Sequence, residues 1–440
     1  MIPLPSWQVA GTGPVELAGP YSGPAEIADL LAEYGLPASG TWSIVDRHGP
    51  EGYRLLVTDE AMTVEGGELG LKWAVQTLRQ IVHDGRIEQG EIVDAPRYAW
   101  RGSMLDVARW CHPMDFLYRY VDLLALHKLN RLHLHLTDDQ GWRFEVKRHP
   151  RLTEVGAFRR ESPLGHAYDG QFDGMPHGGF YTQAELTDLV SYAKRRGVEI
   201  MPEIDLPGHT QAAIAAYPGL GHHPDETVEV STRWGIHTIV VNTAPETVEF
   251  FKNVLDEVIE VFPFEYIHLG GDEVRSMDDR VVGWWITQLQ EHLAAKGRKV
   301  AVWDELLDSD PPRDLLFFGW RDATKAPAAR KAGYEAVSCP QEHCYFDWAE
   351  SDREDEPLAI AGYVPLEQVY AFEPGDVTGV QGNLWCEYLP TPALVQWRAY
   401  PRLAALAEVG WGKADFVDFS QRLPEHLELL TRLGVRYRPR

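Results

Sequence analysis

Cysteine is scarce in this chain of 440 residues, which contains four. Cys111, Cys339, Cys344 and Cys386 form no CxxC pair and lack the spacing of a disulfide framework. None of the four asparagines stands in an N-x-[ST] acceptor for glycosylation. These absences exclude a scaffold that depends on disulfides, and they favour a reducing compartment.

Long apolar runs are also missing from the chain. No stretch of about 18 consecutive apolar residues occurs, and the first residues, MIPLPSWQVAGTG, lack a basic segment followed by an apolar one. The sequence therefore predicts neither a membrane-spanning helix nor a secretory signal, although a signal cleaved earlier would leave no trace. On these grounds we expect a cytoplasmic protein.

Positive charge is in short supply. The 41 Lys and Arg residues face 66 Asp and Glu residues, which gives a formal net charge of -25. This excess of negative charge would repel a phosphate backbone or an anionic membrane, so we expect neither nucleic acid nor membrane as a partner. A neutral substrate fits the charge more easily.

The N-terminal part of the chain differs from the rest in composition and pattern. We predict a small α/β domain over residues 1–95, with strand patterns at 53–59 and 62–66. A helical pattern follows over 68–85, and Gly85 stands where a helix C-cap is expected. No catalytic constellation occurs in this part.

From about residue 96 the chain alternates apolar strand patterns with helical ones, as a parallel sheet of βα units does. The eight strand candidates are 100–109, 131–139, 198–205, 265–273, 299–305, 315–322, 335–340 and 380–387. Eight such strands close a barrel, so the predicted fold class is an α/β (β/α)8 TIM barrel over residues 96–440. Two long loops, 142–180 and 210–238, follow the second and third strands and are expected to shape a pocket.

Two of the intervening helices carry start signals. Thr182 and Glu185 have the spacing of a capping box, and Gly197 stands beyond the end of the same helical pattern. Pro245 stands in the expected first turn of another helix.

The fourth strand candidate ends in an unusual way, because two glycines are followed by two acids, Asp272 and Glu273. Neighbouring side chains of a strand point to opposite faces, so the two acids can share a site only if the backbone turns. Gly270 and Gly271 permit such a turn. On this stretch alone, a solvated turn with two surface acids is an equally good interpretation.

Polar and aromatic residues recur at the C-terminal ends of the other strand candidates, where the strands of a barrel converge on one pocket. They are Arg109, Asp138, Asp205, Trp303, Trp320, Trp385 and Glu387. Tryptophan rings pack against the C–H faces of a pyranose, and charged groups bind its hydroxyls, so this set favours a sugar ligand. Trp284 and Trp285 lie in a helical pattern, where we expect ordinary core packing.

Eight stretches of the chain resemble a known family when they are taken in order. RGSMLDVAR, HLHLTDDQGWRFEV, EIDLPGHT, HLGGDEV, VWDE, GWRD, CYFDW and LWCE resemble the catalytic barrel of glycoside hydrolase family 20, the β-N-acetylhexosaminidases. The resemblance covers about residues 96–412, and the N-terminal unit is similar to the α/β domain that often precedes that barrel. It implies an exo-acting, retaining hydrolase that removes terminal N-acetylglucosamine or N-acetylgalactosamine by substrate-assisted catalysis through an oxazolinium intermediate.

The resemblance also implies roles for individual residues. Glu273 would be the general acid and base, Asp272 would hold the acetamido N–H, and Tyr345 would donate to the acetamido oxygen. The substrate-binding positions carried over from the family are Arg109, Asp138, Asp205, His209, Trp303, Trp320, Asp347, Trp385 and Glu387. The ligand would be a glycoside that contains an N-acetylhexosamine, with no metal and no cofactor.

Two other function classes stay open at this point. Asp138, Asp205 and Asp272 on successive strands could hold the magnesium of an enolising enzyme, although Lys299 stands at the wrong strand end to be its base. A sugar-binding protein without activity could use the same barrel, although it would not need Glu273. The pair His222 and His223 is at best a weak metal candidate, and we interpret it as loop.

Overall fold

The computed structural model describes residues 1–440 with the exception of residues 6, 310, 361, 413 and 440, and for residues 7–12 it describes the backbone only. The described chain forms a six-stranded sheet with two helices, followed by a closed barrel of eight parallel strands. This architecture confirms the predicted fold class.

The N-terminal sheet holds six strands in the spatial order β1-β6-β4-β5-β3-β2. They are β1 (Trp7–Glu16), β2 (Tyr21–Ser22), β3 (Gly40–Ile44), β4 (Tyr53–Val57), β5 (Met62–Gly66) and β6 (Arg86–Asp94). Helices α1 (Ala25–Glu33) and α2 (Glu68–Ile81) pack on this sheet and bury a core that includes Trp42, Leu55, Val64 and Trp73.

The predicted strands at 53–59 and 62–66 and the helix that follows are present, but four strands and α1 were missed. Strand β1 contains Gly13 and Pro14, which weaken a strand pattern, and its pairing with β6 is irregular between Ala10 and Pro14. The expected C-cap at Gly85 was wrong. Helix α2 ends at Ile81, and Gly85 (φ +73) lies in the tight Asp-Gly turn that leads into β6.

Twelve further strands follow in the described residues. They are β7 (Trp100–Asp106), β8 (Arg131–His135), β9 (Thr137–Asp138), β10 (Gly141–Trp142), β11 (Phe158–Arg159), β12 (His177–Gly178), β13 (Glu199–Glu203), β14 (Tyr266–His268), β15 (Lys299–Trp303), β16 (Leu315–Gly319), β17 (Glu335–Ser338) and β18 (Gly379–Leu384). The barrel consists of β13-β14-β15-β16-β17-β18-β7-β8, all parallel, so each of the eight predicted strands contributes one strand to it. The four short strands lie in the loop region after β8.

Helices surround the barrel and fill the loops. They are α3 (Met114–Leu126), α4 (Arg151–Glu154), α5 (Gln183–Arg195), α6 (Gln211–Ala216), α7 (Pro245–Val261), α8 (Asp279–Ala294), α9 (Lys325–Lys331), α10 (Gln341–Cys344), α11 (Leu366–Tyr370), α12 (Pro392–Ala399), α13 (Arg402–Trp411) and α14 (Phe416–Arg432). The capping box of Thr182 and Glu185 is present at the start of α5, and Pro245 is the first residue of α7. Trp285 is buried as expected, whereas Trp284 was predicted wrongly because it is 38% exposed on α8. Among the described helices, none combines the length and apolar character that crossing a bilayer requires.

A buried ion pair joins the N-terminal sheet to the bottom of the barrel. Lys128, just after α3, places its Nζ 2.5 Å from Oδ2 of Asp94, the last residue of β6, and both side chains are fully buried. Tyr53 donates to the same carboxylate at 2.8 Å, and the indole of Trp411 donates to its other oxygen at 2.7 Å. A buried charge needs such partners, so the two parts of the chain depend on each other electrostatically.

Replacing Asp94 by alanine tests this dependence. The change leaves the Lys128 ammonium buried without its counter-ion, and we expect the free energy of unfolding in urea to fall by about 3–5 kcal/mol. Arg47→Ala is the control, because it removes the exposed Arg47–Glu65 pair and should change the value by less than about 0.5 kcal/mol. Equal effects of the two variants would contradict the structural importance of the Asp94–Lys128 pair.

Candidate active site

A cavity of about 320 Å³ opens at the C-terminal end of the barrel strands. It is lined by Arg109, Asp138, Asp205, His209, Asp272, Glu273, Trp303, Trp320, Gln341, Tyr345, Asp347, Trp348, Ile360, Trp385 and Glu387. All site residues predicted from the sequence lie in this lining, although they come from eight different strand ends and loops. The volume is at the small end for ligand pockets and suits a ligand of about one sugar ring.

The turn after β14 brings Asp272 and Glu273 into this one cavity. Strand β14 ends at His268, and Gly270 (φ +68) and Gly271 (φ +89) adopt left-handed conformations that other residues rarely take. A Cβ atom on Gly270 would stand 1.7 Å from Oδ1 of Asp205, so this position has no room for a side chain. The turn thus lets two adjacent carboxylates face the same space.

Glu273 has an environment that opposes its negative charge. Burial, together with the neighbouring charge of Asp272, raises the pKa of the Glu273 carboxyl to about 7. Burial also raises the pKa of Asp272. Glu273 itself adopts a left-handed backbone conformation (φ +53), a costly geometry that is typical of functional sites. At neutral pH, Glu273 can therefore give up or take up a proton.

His209 stands between two groups of carboxylates. Its Nδ1 lies 3.3 Å from Oδ1 of Asp138, and its Nε2 lies 3.8 Å from Oδ2 of Asp272 and 3.7 Å from Oε2 of Glu273. Burial alone would disfavour an imidazolium, but the surrounding carboxylates, Asp138 above all, raise the pKa of His209 well above its ordinary value. His209 is therefore a cation that touches both acids of the turn.

Arg109 forms the cationic side of the cavity. Its Nη2 lies 2.8 Å from Oδ2 of Asp138 and 3.8 Å from Oε1 of Glu387, and its Nη1 lies 3.1 Å from Oδ2 of Asp106. Its Nε donates to the side chain of Gln140 at 2.8 Å. These partners hold the guanidinium in one orientation, with a fixed fork of donors.

Several carboxylate oxygens at the cavity are buried without a protein partner. Among the described residues these are Oδ1 of Asp272, Oδ2 of Asp205 and Oδ1 of Asp347. Burial and the nearby charge of Glu387 raise the pKa of Asp347 well above its ordinary value. Unsatisfied buried oxygens are costly, and at a cavity wall they are typical of ligand-binding positions.

Aromatic rings form the remaining wall. Trp303 and Trp385 lie with ring centroids 5.9 Å apart, and Trp320 stacks with Tyr345 at the same distance with an interplanar angle of 24°. The indole of Trp320 donates to Glu305 at 2.9 Å. The wall is apolar on its surface and is fixed by hydrogen bonds from behind.

Glu203 lies behind this wall at the centre of the barrel, and sequence reasoning missed it. Its Oε1 accepts from the Trp303 indole at 2.9 Å and lies 2.9 Å from Nδ1 of His268. Its Oε2 lies 3.0 Å from Nε2 of His133 and 2.5 Å from Nδ1 of His135. The available signal was its position two residues before Asp205, because alternate residues of a strand face the same side.

Gln341, Trp348 and Ile360 also line the cavity and were not predicted. Trp348 directly follows Asp347, and its position next to a predicted ligand was a usable signal. Gln341 is the first residue of the short helix α10, and Ile360 lies in the connection between α10 and α11, so no strand pattern points from either residue to the pocket.

One group of possible metal ligands lies inside the cavity. Asp205, His209 and Asp272 each offer a ligand atom within 4.8 Å of the others. A metal ion bound there would have to displace the proton that the raised pKa of His209 favours, so binding at this group would depend on pH.

Comparisons with known proteins agree with the geometry. The profile of the glycosyl hydrolase family 20 catalytic domain matches residues 98–280 and 277–414, and the profile of domain 2 of that family matches residues 12–95. The chain is 35% identical over 434 residues to a protein named β-hexosaminidase from Porphyromonas gingivalis, which covers 88% of this chain and 54% of that protein. The chain thus spans about half the length of that relative.

Two further proteins match over most of both chains. A β-N-acetylhexosaminidase from Cellulomonas fimi is 34% identical over 451 residues, which cover 96% of this chain and 85% of the relative. The solved structure of a mutant Streptomyces plicatus β-hexosaminidase in complex with the product GlcNAc has a TM-score of 0.90 at 29% identity, covering 100% of this chain and 96% of that chain. The matches extend over both the N-terminal sheet and the barrel, and they confirm the resemblance seen in the sequence: this chain belongs to glycosyl hydrolase family 20 and is a glycoside hydrolase.

Proposed function

We propose that this chain is an exo-acting, retaining β-N-acetylhexosaminidase that removes a terminal N-acetylglucosamine or N-acetylgalactosamine through an oxazolinium intermediate. The observation that carries the proposal is the turn after β14, where Asp272 and Glu273 face one cavity beside an aromatic wall. Neither acid then stands on the opposite side of the bond as the nucleophile of an ordinary retaining glycosidase would. The nucleophile would instead be the carbonyl oxygen of the substrate's own 2-acetamido group.

The reaction would take place in two displacements at the anomeric carbon. In the first, the acetamido oxygen attacks, the glycosidic bond breaks, and Glu273 gives its proton to the leaving oxygen. In the second, Glu273 takes a proton from water, which attacks the oxazolinium and restores the acetamido group. Two inversions give net retention. A pKa of about 7 suits a carboxyl group that serves first as acid and then as base.

Asp272 would accept the acetamido N–H and stabilise the positive charge of the oxazolinium. Its Oδ1 is buried and has no partner among the described residues, so this oxygen is available to the substrate. Tyr345, stacked on Trp320, would donate to the acetamido oxygen. Trp303, Trp320 and Trp385 would enclose the acetamido group in a geometry close to attack.

The other end of the sugar would lie against the charged side of the cavity. Arg109 and Glu387 would bind the 3- and 4-hydroxyls, and Asp347 would bind the 6-hydroxyl. These side chains are largely buried, so an oligosaccharide could not continue beyond the 3-, 4- and 6-hydroxyls of the bound sugar. A cavity closed at this end favours removal of one terminal residue at a time.

Asp138, Asp205 and His209 would position the reacting groups. Asp138 binds both Arg109 and His209, and His209 in turn lies beside Glu273. The positive charge of His209 opposes the rise in the pKa of Glu273 and stabilises the carboxylate that remains after proton donation.

We also propose domain limits of 1–95 and 96–440, because β6 ends at Asp94 and the first barrel strand begins at Trp100.

A pair of substrates tests the identity of the nucleophile. The enzyme should cleave an aryl 2-acetamido-2-deoxy-β-glucoside at least about a hundredfold faster than the matching 2-hydroxy glucoside, because only the first carries the internal nucleophile. Asp272→Asn should lower kcat on the acetamido substrate by about 10²–10³-fold, since it removes negative charge beside the oxazolinium. Equal rates on the two glucosides would exclude substrate assistance.

The pH dependence tests the role of Glu273. The acid form is needed for the first step, so kcat/KM should fall as the pH rises through about 7. In Glu273→Gln this falling limb should disappear, and turnover of a glycoside with an unactivated leaving group should drop by about 10²-fold or more. An aryl glycoside with a good leaving group should lose less. If the same limb persisted in the variant, Glu273 would not be the acid.

Glu203→Gln tests whether the barrel centre positions the site. An amide in place of the carboxylate puts an NH2 group where one oxygen accepts, so either the Trp303 indole or the His135 imidazole loses its acceptor and should shift. We expect kcat to fall about 10–100-fold in folded enzyme. Glu199→Gln at the partly exposed start of the same strand is the matched control and should be near wild type. Loss of stability without loss of kcat would assign Glu203 a structural role only.

A further inference from the structure

The exposed residues of the cavity lining show where the cavity opens. Ile360 is the most exposed lining residue, at 42%, and the side chain of Glu273 is 29% exposed, whereas Arg109 and Asp347 are buried. Ile360 and Glu273 therefore lie at the mouth of the cavity. Under the proposed function, the leaving group on the far side of the cleaved bond must pass through this opening.

An aromatic stack stands beside this mouth. The imidazole of His166 stacks on Tyr388, with ring centroids 5.8 Å apart and an interplanar angle of 28°, and on Tyr168 at 5.3 Å and 29°. Tyr168 is 91% exposed and ends the stack. The three rings come from two separate loops, and the outermost has an open face.

One contact and one chain connection attach the stack to the cavity lining. Nε2 of His166 lies 3.4 Å from the backbone oxygen of Ile360, and Tyr388 directly follows Glu387. The Tyr388 hydroxyl accepts from the backbone N–H of Ala167 at 3.0 Å. The stack is therefore continuous with the catalytic cavity, and its loop is fixed by hydrogen bonds.

The chemistry of this surface fits a neutral carbohydrate better than a lipid. Exposed aromatic faces pack against pyranose C–H groups, and the imidazole and the phenol hydroxyls can bind sugar hydroxyls. The loop that carries Ile360 also bears exposed Asp352 and Glu354, whereas Asp355 pairs with Arg353, so the loop has a net negative charge that would repel an anionic membrane surface. The open face of the stack is that of Tyr168, a smaller apolar surface than a lipid chain would need.

We propose that Tyr168, His166 and Tyr388 form a platform that binds the sugar residues on the leaving-group side of the cleaved bond, so that oligosaccharides are bound more tightly than aryl monosaccharides. The inference rests on the proposed function, because it takes the terminal sugar to occupy the cavity. Stacking of one pyranose on Tyr168 should change KM for an oligosaccharide by about three- to tenfold. The three platform residues would take no part in the reaction at the anomeric carbon, which the cavity residues would carry out.

Replacing Tyr168 separates this platform from the catalytic cavity. The probes are an aryl 2-acetamido-2-deoxy-β-glucoside and the soluble β-1,4-linked trimer of N-acetylglucosamine. In Tyr168→Ala, KM for the trimer should rise about three- to tenfold, while kcat/KM for the aryl glycoside stays within about twofold of wild type. Tyr168→Phe keeps the ring and should behave like wild type on both probes. Tyr363→Ala removes a 52% exposed aromatic outside the stack and serves as the control.

Each other outcome has a defined meaning. Unchanged KM for the trimer in Tyr168→Ala would overturn the platform, and so would an equal loss on both substrates, because the change would then act through the cavity. A loss seen only with a glycolipid of the same sugar in vesicles would overturn it in favour of a lipid surface. Failure of the wild-type enzyme to cleave the aryl glycoside would instead refute the proposed function.

Discussion

The carboxylate of Glu203 lies at the barrel centre among one indole and three imidazole rings, and the geometry of the cavity depends on it. One oxygen faces Trp303 and His268, and the other faces His133 and His135. Three of these rings stand on the neighbouring strands β8 and β14, so a single charge ties adjacent strands together below the cavity floor. A buried carboxylate is tolerable only with such complete partners, and the same partners leave Trp303 and His135 a single orientation.

From His135 the network continues to the cavity. Its Nε2 lies 3.0 Å from Oδ2 of Asp138, which binds Arg109 and His209 in turn. Burial opposes the charge on Asp138, but those cations hold its pKa well below the ordinary value. Burial and the acidic neighbours raise the pKa of Glu273 instead. His209 thus separates two carboxyl groups whose pKa values shift in opposite directions. Asp138 is fixed as an anion, whereas Glu273 can exchange a proton.

Sequence patterns predicted the barrel well because its strands are short apolar segments with chemistry at their ends. The predicted bounds extended past the structural ends, as at 265–273 against Tyr266–His268, since the turn residues continue the strand pattern in sequence but leave the ladder in space. Strand β1 of the N-terminal sheet was missed because glycine and proline interrupt its pattern. The adjacent acids were located, whereas Glu203 was missed, because its four ring partners come from other strands and only its spacing of two residues from Asp205 points to the site.

The cavity and its rim are built from different parts of the chain. Residues that line the cavity stand at strand ends and are held from behind by buried hydrogen bonds, so they tolerate little change. Ile360 and Tyr168 stand on exposed loops that contact each other through His166, outside the barrel network. Substitution at these loop positions leaves the charges of Asp138, His209 and Glu273 untouched. Under the proposed function, changes in these loops could therefore alter which leaving groups are accepted without altering the groups that would break the glycosidic bond.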